Sequence, residues 1–133
     1  MNAVFADAYY YLALLSDSDA AHDRAVSLSR NLSTSIVTTA WVLTEVADAL
    51  AAPPLRFLFP AFYEHLCGNP HVTIVPPTAA VFERGIELYA HRSDKAWSLT
   101  DSISFVVMRE HGLSDALTGD HHFEQAGFNV LLK

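Results

Sequence analysis

The sequence is poor in cysteine and in long apolar runs, and each shortage excludes a class of protein. Cys67 is the single cysteine among 133 residues, so no disulfide forms within the chain, and we interpret its thiol as a small buried apolar group. No apolar run approaches the roughly 18 residues that cross a membrane. The apolar start of the chain lacks a basic segment and is interrupted by Asp7, which argues against a signal peptide. We therefore expect a cytoplasmic protein without a membrane anchor.

Positive charge is also scarce. The chain has 8 lysines and arginines against 15 aspartates and glutamates, a formal net charge of -7. Taken alone, this balance argues against binding to a phosphate backbone over a broad surface. It does not argue against a phosphate site built on divalent cations, because a bound metal reverses the sign of the local field.

The order of apolar segments predicts a layered α/β fold in a single domain, residues 1–133. With 51% hydrophobic and 17% charged residues, the composition suits one compact core. The predicted strands are 3–6, 35–38, 72–75, 115–118 and 129–132, and the predicted helices are 9–15, 20–32, 40–50, 57–67, 80–90 and 101–111. Connections between the strands are too long for hairpins, so we expect a central, largely parallel sheet between helical layers.

Three carboxylates stand at the ends of predicted elements. Asp7 follows the first strand, Asp120 follows a late strand, and Asp101 lies in the first turn of a helix that is apolar on every side. Ligand crevices of parallel sheets lie at the carboxyl ends of the strands. We therefore expect these three acids to meet at one edge of the sheet.

Glu45 is a fourth acid in an unusual place. Projected as a helix, residues 40–50 place it between Trp41 and Ala49, so it is predicted to point inward. No arginine lies within helical reach of it, and an unpaired buried carboxylate is strongly disfavoured. A cation shared with the other acids would explain it.

Each of the other acids also has a structural explanation when taken alone. Asp7 could cap the following helix, Asp101 could interact only with the helix dipole, and Asp120 could be an ordinary turn residue. Their joint placement with Glu45 is what favours a metal site. Asp7, Glu45, Asp101 and Asp120 are called the acidic quartet below.

The neighbours of these acids have plainer interpretations. Thr39, Thr78 and Thr100 are predicted to cap the helices 40–50, 80–90 and 101–111. His121 and His122 are interpreted as surface residues, because adjacent side chains diverge on a helix and no further ligand spacing accompanies them. The run Tyr9–Tyr11 is interpreted as core and groove wall, with a base-stacking platform as the alternative.

Two other classes of acidic α/β protein disagree with the spacing. A receiver-like signalling domain needs adjacent acids early and a lysine near the site late in the chain, whereas Asp7 is followed by Ala8 and the two lysines are Lys95 and Lys133. A dehalogenase-type phosphatase needs Asp-x-Asp, and the corresponding residue is Tyr9.

Four segments together resemble the successive motifs of PIN-domain ribonucleases, notably the VapC-type toxins. The resemblance extends from end to end of the chain and keeps the usual order and nearly the usual spacing. The matching segments are Val4-Phe5-Ala6-Asp7, Thr39-Ala40-Trp41-Val42-Leu43-Thr44-Glu45, Ser98-Leu99-Thr100-Asp101, and Ala116-Leu117-Thr118-Gly119-Asp120-His121-His122-Phe123 with Ala126-Gly127-Phe128.

The resemblance implies a three-layer α/β/α PIN-like fold and metal-dependent hydrolysis of RNA phosphodiester bonds that leaves 5′-phosphate and 3′-hydroxyl ends. It implies that the acidic quartet is catalytic and binds Mg²⁺ or Mn²⁺. Thr100 and Thr118 place hydroxyls beside two of these acids, where we expect them to orient the acids or a water. It further implies the toxin of a type II toxin–antitoxin pair, with a small antitoxin protein as partner and a homodimer as the assembly.

One departure from the family pattern concerns the residue after the first acid. Family members commonly have Ser or Thr there, where this chain has Ala8. Losing a hydroxyl next to a ligand tunes affinity or rate more often than it abolishes function. A catalytically weak or inactive PIN-like module that acts by binding protein is therefore the alternative to an active nuclease.

Overall fold

Five parallel strands form a single sheet in the computed structural model, which describes residues 3–133. Residues 1 and 2 of the expected domain lie outside the described part. The strands are β1 (Ala3–Ala6), β2 (Ser35–Thr39), β3 (Val72–Val75), β4 (Asp115–Leu117) and β5 (Asn129–Val130). Their order across the sheet is β3-β2-β1-β4-β5, and every pair is parallel. The carboxyl ends of the central strands β1 and β4 are therefore neighbours.

Helices connect the strands and form the outer layers. They are α1 (Ala8–Leu15), α2 (His22–Asn31), α3 (Ala40–Ala49), α4 (Leu58–Cys67), α5 (Ala79–His91), α6 (Leu99–Glu110) and α7 (His121–Gln125), and a 3₁₀ turn at Leu55–Phe57 leads into α4. Right-handed crossovers place α1 to α4 on one face of the sheet and α5 to α7 on the other. The predicted α/β/α architecture is confirmed, as are the predicted strands to within two residues at each end.

Side-chain caps begin two of the helices where the sequence predicts them. The Thr39 hydroxyl accepts a hydrogen bond from the Val42 amide at 3.1 Å, and Thr78 caps α5 by accepting from Val81. An N-terminal hydroxyl satisfies an amide that has no partner within the helix. These caps fix where β2 ends and α3 begins, and so where Glu45 lies.

The start of α6 differs from the prediction. The helix begins at Leu99 and its cap is Ser98, so the assignment of Thr100 as the cap is wrong. The Ser98 hydroxyl accepts from the Asp101 amide at 3.0 Å, and the Asp101 carboxylate accepts from the Ser98 amide at 3.2 Å. This reciprocal capping box satisfies two amides at once. A cap at Thr100 could not form such a box, because the residue three positions later, Ile103, has no side-chain acceptor.

Helix α6 lies at the centre of the molecule, as expected of a helix whose residues are apolar on every side. Ile103, Phe105 and Met108 are fully buried. Gly85 of α5 permits close packing here, because a β-carbon at that position would lie 2.2 Å from Ile103 Cγ1. Helix α6 is thereby packed closely against α5.

The exposure of Cys67 differs from the interpretation based on the sequence. Cys67 is exposed at the end of α4, so its interpretation as a buried group is wrong; of that helix, Leu66 is the residue that the core covers. Within residues 3–133, no helix is both long and apolar enough to span a membrane.

Candidate metal centre

Asp7 lies between β1 and α1, at the carboxyl end of the central strand. It is 6% exposed. Within the described chain its carboxylate does not form the usual side-chain cap of α1. Instead, Oδ2 accepts a hydrogen bond from the Thr118 hydroxyl at 2.8 Å, which links β1 to the end of β4. Helix capping therefore does not account for this acid.

The environment of Asp7 opposes its negative charge. The pKa of Asp7 is raised to about 6, chiefly by burial and also by the charges of Asp101 and Asp120, against the lowering effect of hydrogen bonds from Thr118 and the Ala8 amide. A carboxylate that is desolvated beside other carboxylates is stabilised by a cation.

Thr118 connects a second acid to the first. Its Oγ1, which donates to Asp7, accepts a hydrogen bond from the Asp120 amide at 3.1 Å. Asp120 is half-buried and caps α7, since its Oδ1 accepts from the His122 amide at 2.9 Å. The fully buried hydroxyl of Thr118 thus fixes both acids at the ends of the two central strands.

Asp101 approaches from the first turn of α6. It is 8% exposed, and burial raises its pKa, with Asp120 adding to the rise and the Ser98 amide and His122 opposing it. The cluster therefore contains three acids that come from β1, the β4–α7 connection and α6. The sequence-based expectation that these three gather at one edge agrees with this geometry.

His122 lies between two of the acids. Its Nδ1 is 3.2 Å from Asp101 Oδ2 and 3.3 Å from Asp120 Oδ1. When both carboxylates are ionised, Nδ1 is the donor in these contacts, because ionised carboxylates only accept hydrogen bonds. The interpretation of His122 as a surface residue is wrong, since its side chain is only 21% exposed.

Packing between α6 and α7 explains how His122 reaches Asp101. Phe123 is fully buried and meets Phe105 edge-on at a centroid distance of 4.9 Å. The Trp97 indole donates to the Gln125 side chain at 2.9 Å. These contacts hold α7 across the start of α6. The sequence offers no signal for a contact between residues 21 positions apart.

Glu45 differs from its prediction in orientation. It is exposed, whereas Val42, Leu43 and Val46 of the same helix are buried. The stripe that α3 buries is therefore centred on these three residues, and Glu45 lies at its margin. The prediction of an inward-pointing side chain is wrong.

The carboxylate of Glu45 nevertheless belongs electrostatically to the cluster. Its pKa is raised to about 7, first by partial burial and then by the negative charges of Asp7, Asp101, Asp120 and Asp48. This holds although water reaches the residue. Glu45 thus occupies the open rim of a site whose other acids lie deeper.

The donor set fits a hard divalent cation. Carboxylate oxygens predominate, and Mg²⁺ and Mn²⁺ are commonly bound by a few carboxylates together with water or phosphate oxygens. Burial of the acids, and to a smaller extent repulsion among them, raises the pKa values of Asp7, Glu45 and Asp101, and such an ion would relieve both effects. Among the described residues, Asp120, His121 and His122 form a group with one ligand atom from each within 4.8 Å of the others. That group is more open, since the His121 side chain is 70% exposed.

Two residues of the site escaped the sequence interpretation. Ser98 had a usable signal, because a serine three residues before an acid at a helix start is typical of a capping box. His122 had only a partial signal. A helix cap at Asp120 predicts a hydrogen bond from the His122 amide, but no local pattern predicts the contact of its ring with Asp101.

Comparison with protein families shows which family the chain belongs to. The family model described as PIN domain matches residues 4–129. The chain belongs to the PIN domain family. All four acids of the quartet lie within the matched segment.

Two known proteins illustrate the relationship of this PIN domain. It is 27% identical to the 23S rRNA-specific endonuclease VapC20 of Mycobacterium tuberculosis, over 94% of this chain and 95% of the relative. The crystal structure of VapC20, described as a sarcin–ricin loop cleaving toxin, superposes with a TM-score of 0.86 at 26% identity and 94% and 95% coverage. FitAcB from Neisseria gonorrhoeae shares the fold, with a TM-score of 0.66 at 20% identity and 96% and 95% coverage.

Proposed function

We propose that this PIN domain is a metal-dependent ribonuclease that hydrolyses RNA phosphodiester bonds. The observation that carries the proposal is the convergence of Asp7, Asp101 and Asp120 at the carboxyl ends of β1 and β4, with Glu45 at the rim. The similarity to an rRNA endonuclease over 94% of the chain supports it.

The acidic quartet would hold Mg²⁺ or Mn²⁺. When bound, such an ion supplies Lewis-acid stabilisation of charge that develops on phosphate oxygens and lowers the pKa of coordinated water. The chain itself supplies orientation: Thr118 holds Asp7 and the Asp120 backbone, and the Ser98 amide holds the Asp101 carboxylate. Carboxylates fixed in this way need little reorganisation on binding. Whether Thr100 orients Asp101 as well stays a prediction.

RNA cleavage by the wild type and by Asp7→Asn tests the proposal. A fragment of 23S rRNA that contains the sarcin–ricin loop is the first substrate to use, because VapC20 is named for 23S rRNA. We expect cleavage with Mg²⁺ or Mn²⁺, none with EDTA, and a loss of at least about 100-fold in Asp7→Asn. The ends produced should be 5′-phosphate and 3′-hydroxyl.

Asp17→Asn is the matched control, since this aspartate is exposed in the turn after α1. It should cleave like the wild type. Equal activity of wild type and Asp7→Asn, or no metal-dependent cleavage by either on any RNA offered, would contradict the proposal.

We further infer that the chain is the toxin of a toxin–antitoxin pair and is held inactive in the cytoplasm by a small antitoxin. An open apolar groove of about 640 Å³ between α3, α4 and β3 supports a protein partner. Its lining includes Leu43, Phe59, Tyr63, Leu66, Ile74 and Pro76. Co-expression with a small protein encoded next to the gene should yield a stable complex that does not cleave RNA.

The same groove favours the second candidate function, an inactive PIN-like module that binds protein. This alternative predicts binding to a partner with unchanged affinity in Asp7→Asn and no metal-dependent cleavage by the wild type. The cleavage assay therefore separates the two functions.

A homodimer is the proposed assembly. Three large apolar residues, Phe82, Ile86 and Tyr89, are exposed along α5, and Phe82 stacks on Trp41 of α3 at 6.3 Å. Their spacing of four and three residues places them on one face of the helix. Light scattering should give twice the 14.6 kDa chain mass, and Ile86→Glu should give the monomer.

A further inference from the structure

Tyr9 is unlike the two tyrosines that follow it. Tyr10 and Tyr11 are each 2% exposed and belong to the core, as predicted, whereas Tyr9 is 41% exposed. It lies in the first turn of α1, two residues after Asp7. An exposed aromatic ring beside a cluster of acids has no part in the fold or in the metal site described above.

Gly119 leaves room for the Tyr9 ring. A β-carbon at position 119 would lie 2.4 Å from Tyr9 Cζ, 2.6 Å from its Oη and 2.7 Å from Cε1. The backbone of Gly119 is not in the left-handed region, which is occupied by Gly112 and Gly127. Close approach of the ring, rather than backbone conformation, therefore explains the glycine.

The contact positions the ring at the border of the metal centre. Gly119 lies between Thr118, which donates to Asp7, and Asp120. The end of the Tyr9 ring that touches Gly119 thus lies next to the loop that carries these groups. The Tyr9 residue as a whole is 41% exposed to solvent.

Phosphate contacts alone offer limited affinity in this chain. Four of its eight basic side chains pair with exposed acids: Arg84 with Glu110, Arg92 and Lys95 with Asp94, and Lys133 with Glu124. Base stacking on an aromatic ring is independent of net charge and tolerant of sequence. An acidic nuclease that binds RNA at one place therefore gains most from such a ring near the reacting phosphate.

We propose that Tyr9 is a substrate-binding residue that stacks an unpaired RNA base next to the phosphate held at the acidic quartet. Gly119 is the positioning residue that leaves room for the ring. The inference rests on the proposed nuclease function, and it names the substrate class as single-stranded or looped RNA with a base free to stack.

The direct test is binding of a single-stranded RNA oligonucleotide that contains 2-aminopurine, whose fluorescence falls on stacking. Binding is measured with Ca²⁺ in place of Mg²⁺, with gels to confirm that the RNA stays intact. We expect quenching by the wild type and by Tyr9→Phe, which keeps the ring. Tyr9→Leu should lose the quenching and bind roughly 5- to 100-fold more weakly.

Phe57→Leu is the matched control, because Phe57 is also exposed (70%) but lies in the 3₁₀ turn Leu55–Phe57, which carries no member of the acidic quartet. It should bind like the wild type. In cleavage assays the Tyr9→Leu defect should appear mainly in KM, since stacking stabilises the bound substrate and the transition state equally. Thermal unfolding of each variant shows whether the fold is kept.

Gly119→Ala provides an independent readout. The added methyl group must displace the Tyr9 ring, so this variant should weaken binding in the wild-type background and add little in Tyr9→Leu. Should Gly119→Ala fail to fold, the comparison of Tyr9→Phe with Tyr9→Leu still decides.

The outcomes separate the two proposals. Metal-dependent cleavage by the wild type with equal binding by Tyr9→Leu would overturn the role of Tyr9 and leave the nuclease proposal standing. Absence of both RNA binding and cleavage in the wild type would overturn both. Loss of quenching in Tyr9→Phe as well as in Tyr9→Leu would show that the hydroxyl, not the ring face, is responsible, and would also overturn stacking.

Discussion

At the residue scale, one hydroxyl organises two of the acids. Thr118 Oγ1 donates to Asp7 at 2.8 Å and accepts from the Asp120 amide at 3.1 Å, with no exposure to solvent. Ala8 occupies the position where a neighbouring hydroxyl is common in the family, so Thr118 is the hydroxyl that this chain retains for Asp7. The departure at Ala8 therefore leaves Asp7 with a fixed partner.

Thr118→Val should remove both bonds while keeping the side-chain shape. We expect Mn²⁺ affinity, measured by calorimetry, to fall about 10- to 100-fold, and the free energy of unfolding to fall by about 1–3 kcal/mol because a buried carboxylate loses its donor. Thr118→Ser retains the hydroxyl and should stay near the wild type. Wild-type metal affinity in Thr118→Val would show that this bond does not organise the site.

At the element scale, the start of α6 is set by Ser98. Ser98→Ala removes the acceptor for the Asp101 amide and should lower the free energy of unfolding in urea by about 1 kcal/mol. Thr100→Ala is the matched control, since Thr100 lies within the first turn and a change to alanine there favours the helix. A larger loss in Thr100→Ala than in Ser98→Ala would restore the original sequence-based assignment of the cap.

The elements also show how far sequence reasoning reaches. Strands such as Val72–Val75 and caps such as Thr39 and Thr78 depend on local patterns, and they were predicted correctly. The exposure of Glu45 and of Cys67 was not, because it depends on which part of α3 and α4 the neighbouring elements cover. His122 reaches Asp101 only through the packing of α7 on α6, a tertiary contact that no local pattern contains.

At the scale of the whole molecule, the acid cluster couples stability to pH. Folding raises the pKa of Asp7 from 3.8 to about 6 and that of Glu45 from 4.5 to about 7. The folded state therefore binds protons more tightly than the unfolded chain, and the free energy of unfolding falls as the pH rises from about 4 to about 7. For buried Asp7 the shift corresponds to about 3 kcal/mol.

Urea unfolding of the metal-free protein between pH 4 and pH 8 checks this coupling. The wild type should be least stable at the upper end, and Asp7→Asn should lose much of the pH dependence and be more stable than the wild type at pH 8. Added Mn²⁺ should stabilise the wild type most at high pH, because metal binding displaces protons. A wild type that gains stability steadily from pH 4 to pH 8 without metal, in parallel with Asp7→Asn, would contradict the assigned shifts.

The position of the metal tests the account most directly. Crystals grown with Mn²⁺ and measured near the manganese absorption edge give an anomalous difference map that locates the ion without assumption. We predict a peak within bonding distance of carboxylate oxygens of Asp7, Asp101 and Asp120, with Glu45 on its open side. A peak held by Asp120, His121 and His122 without Asp7 and Asp101, or no peak at the quartet at saturating Mn²⁺, would contradict the proposed centre.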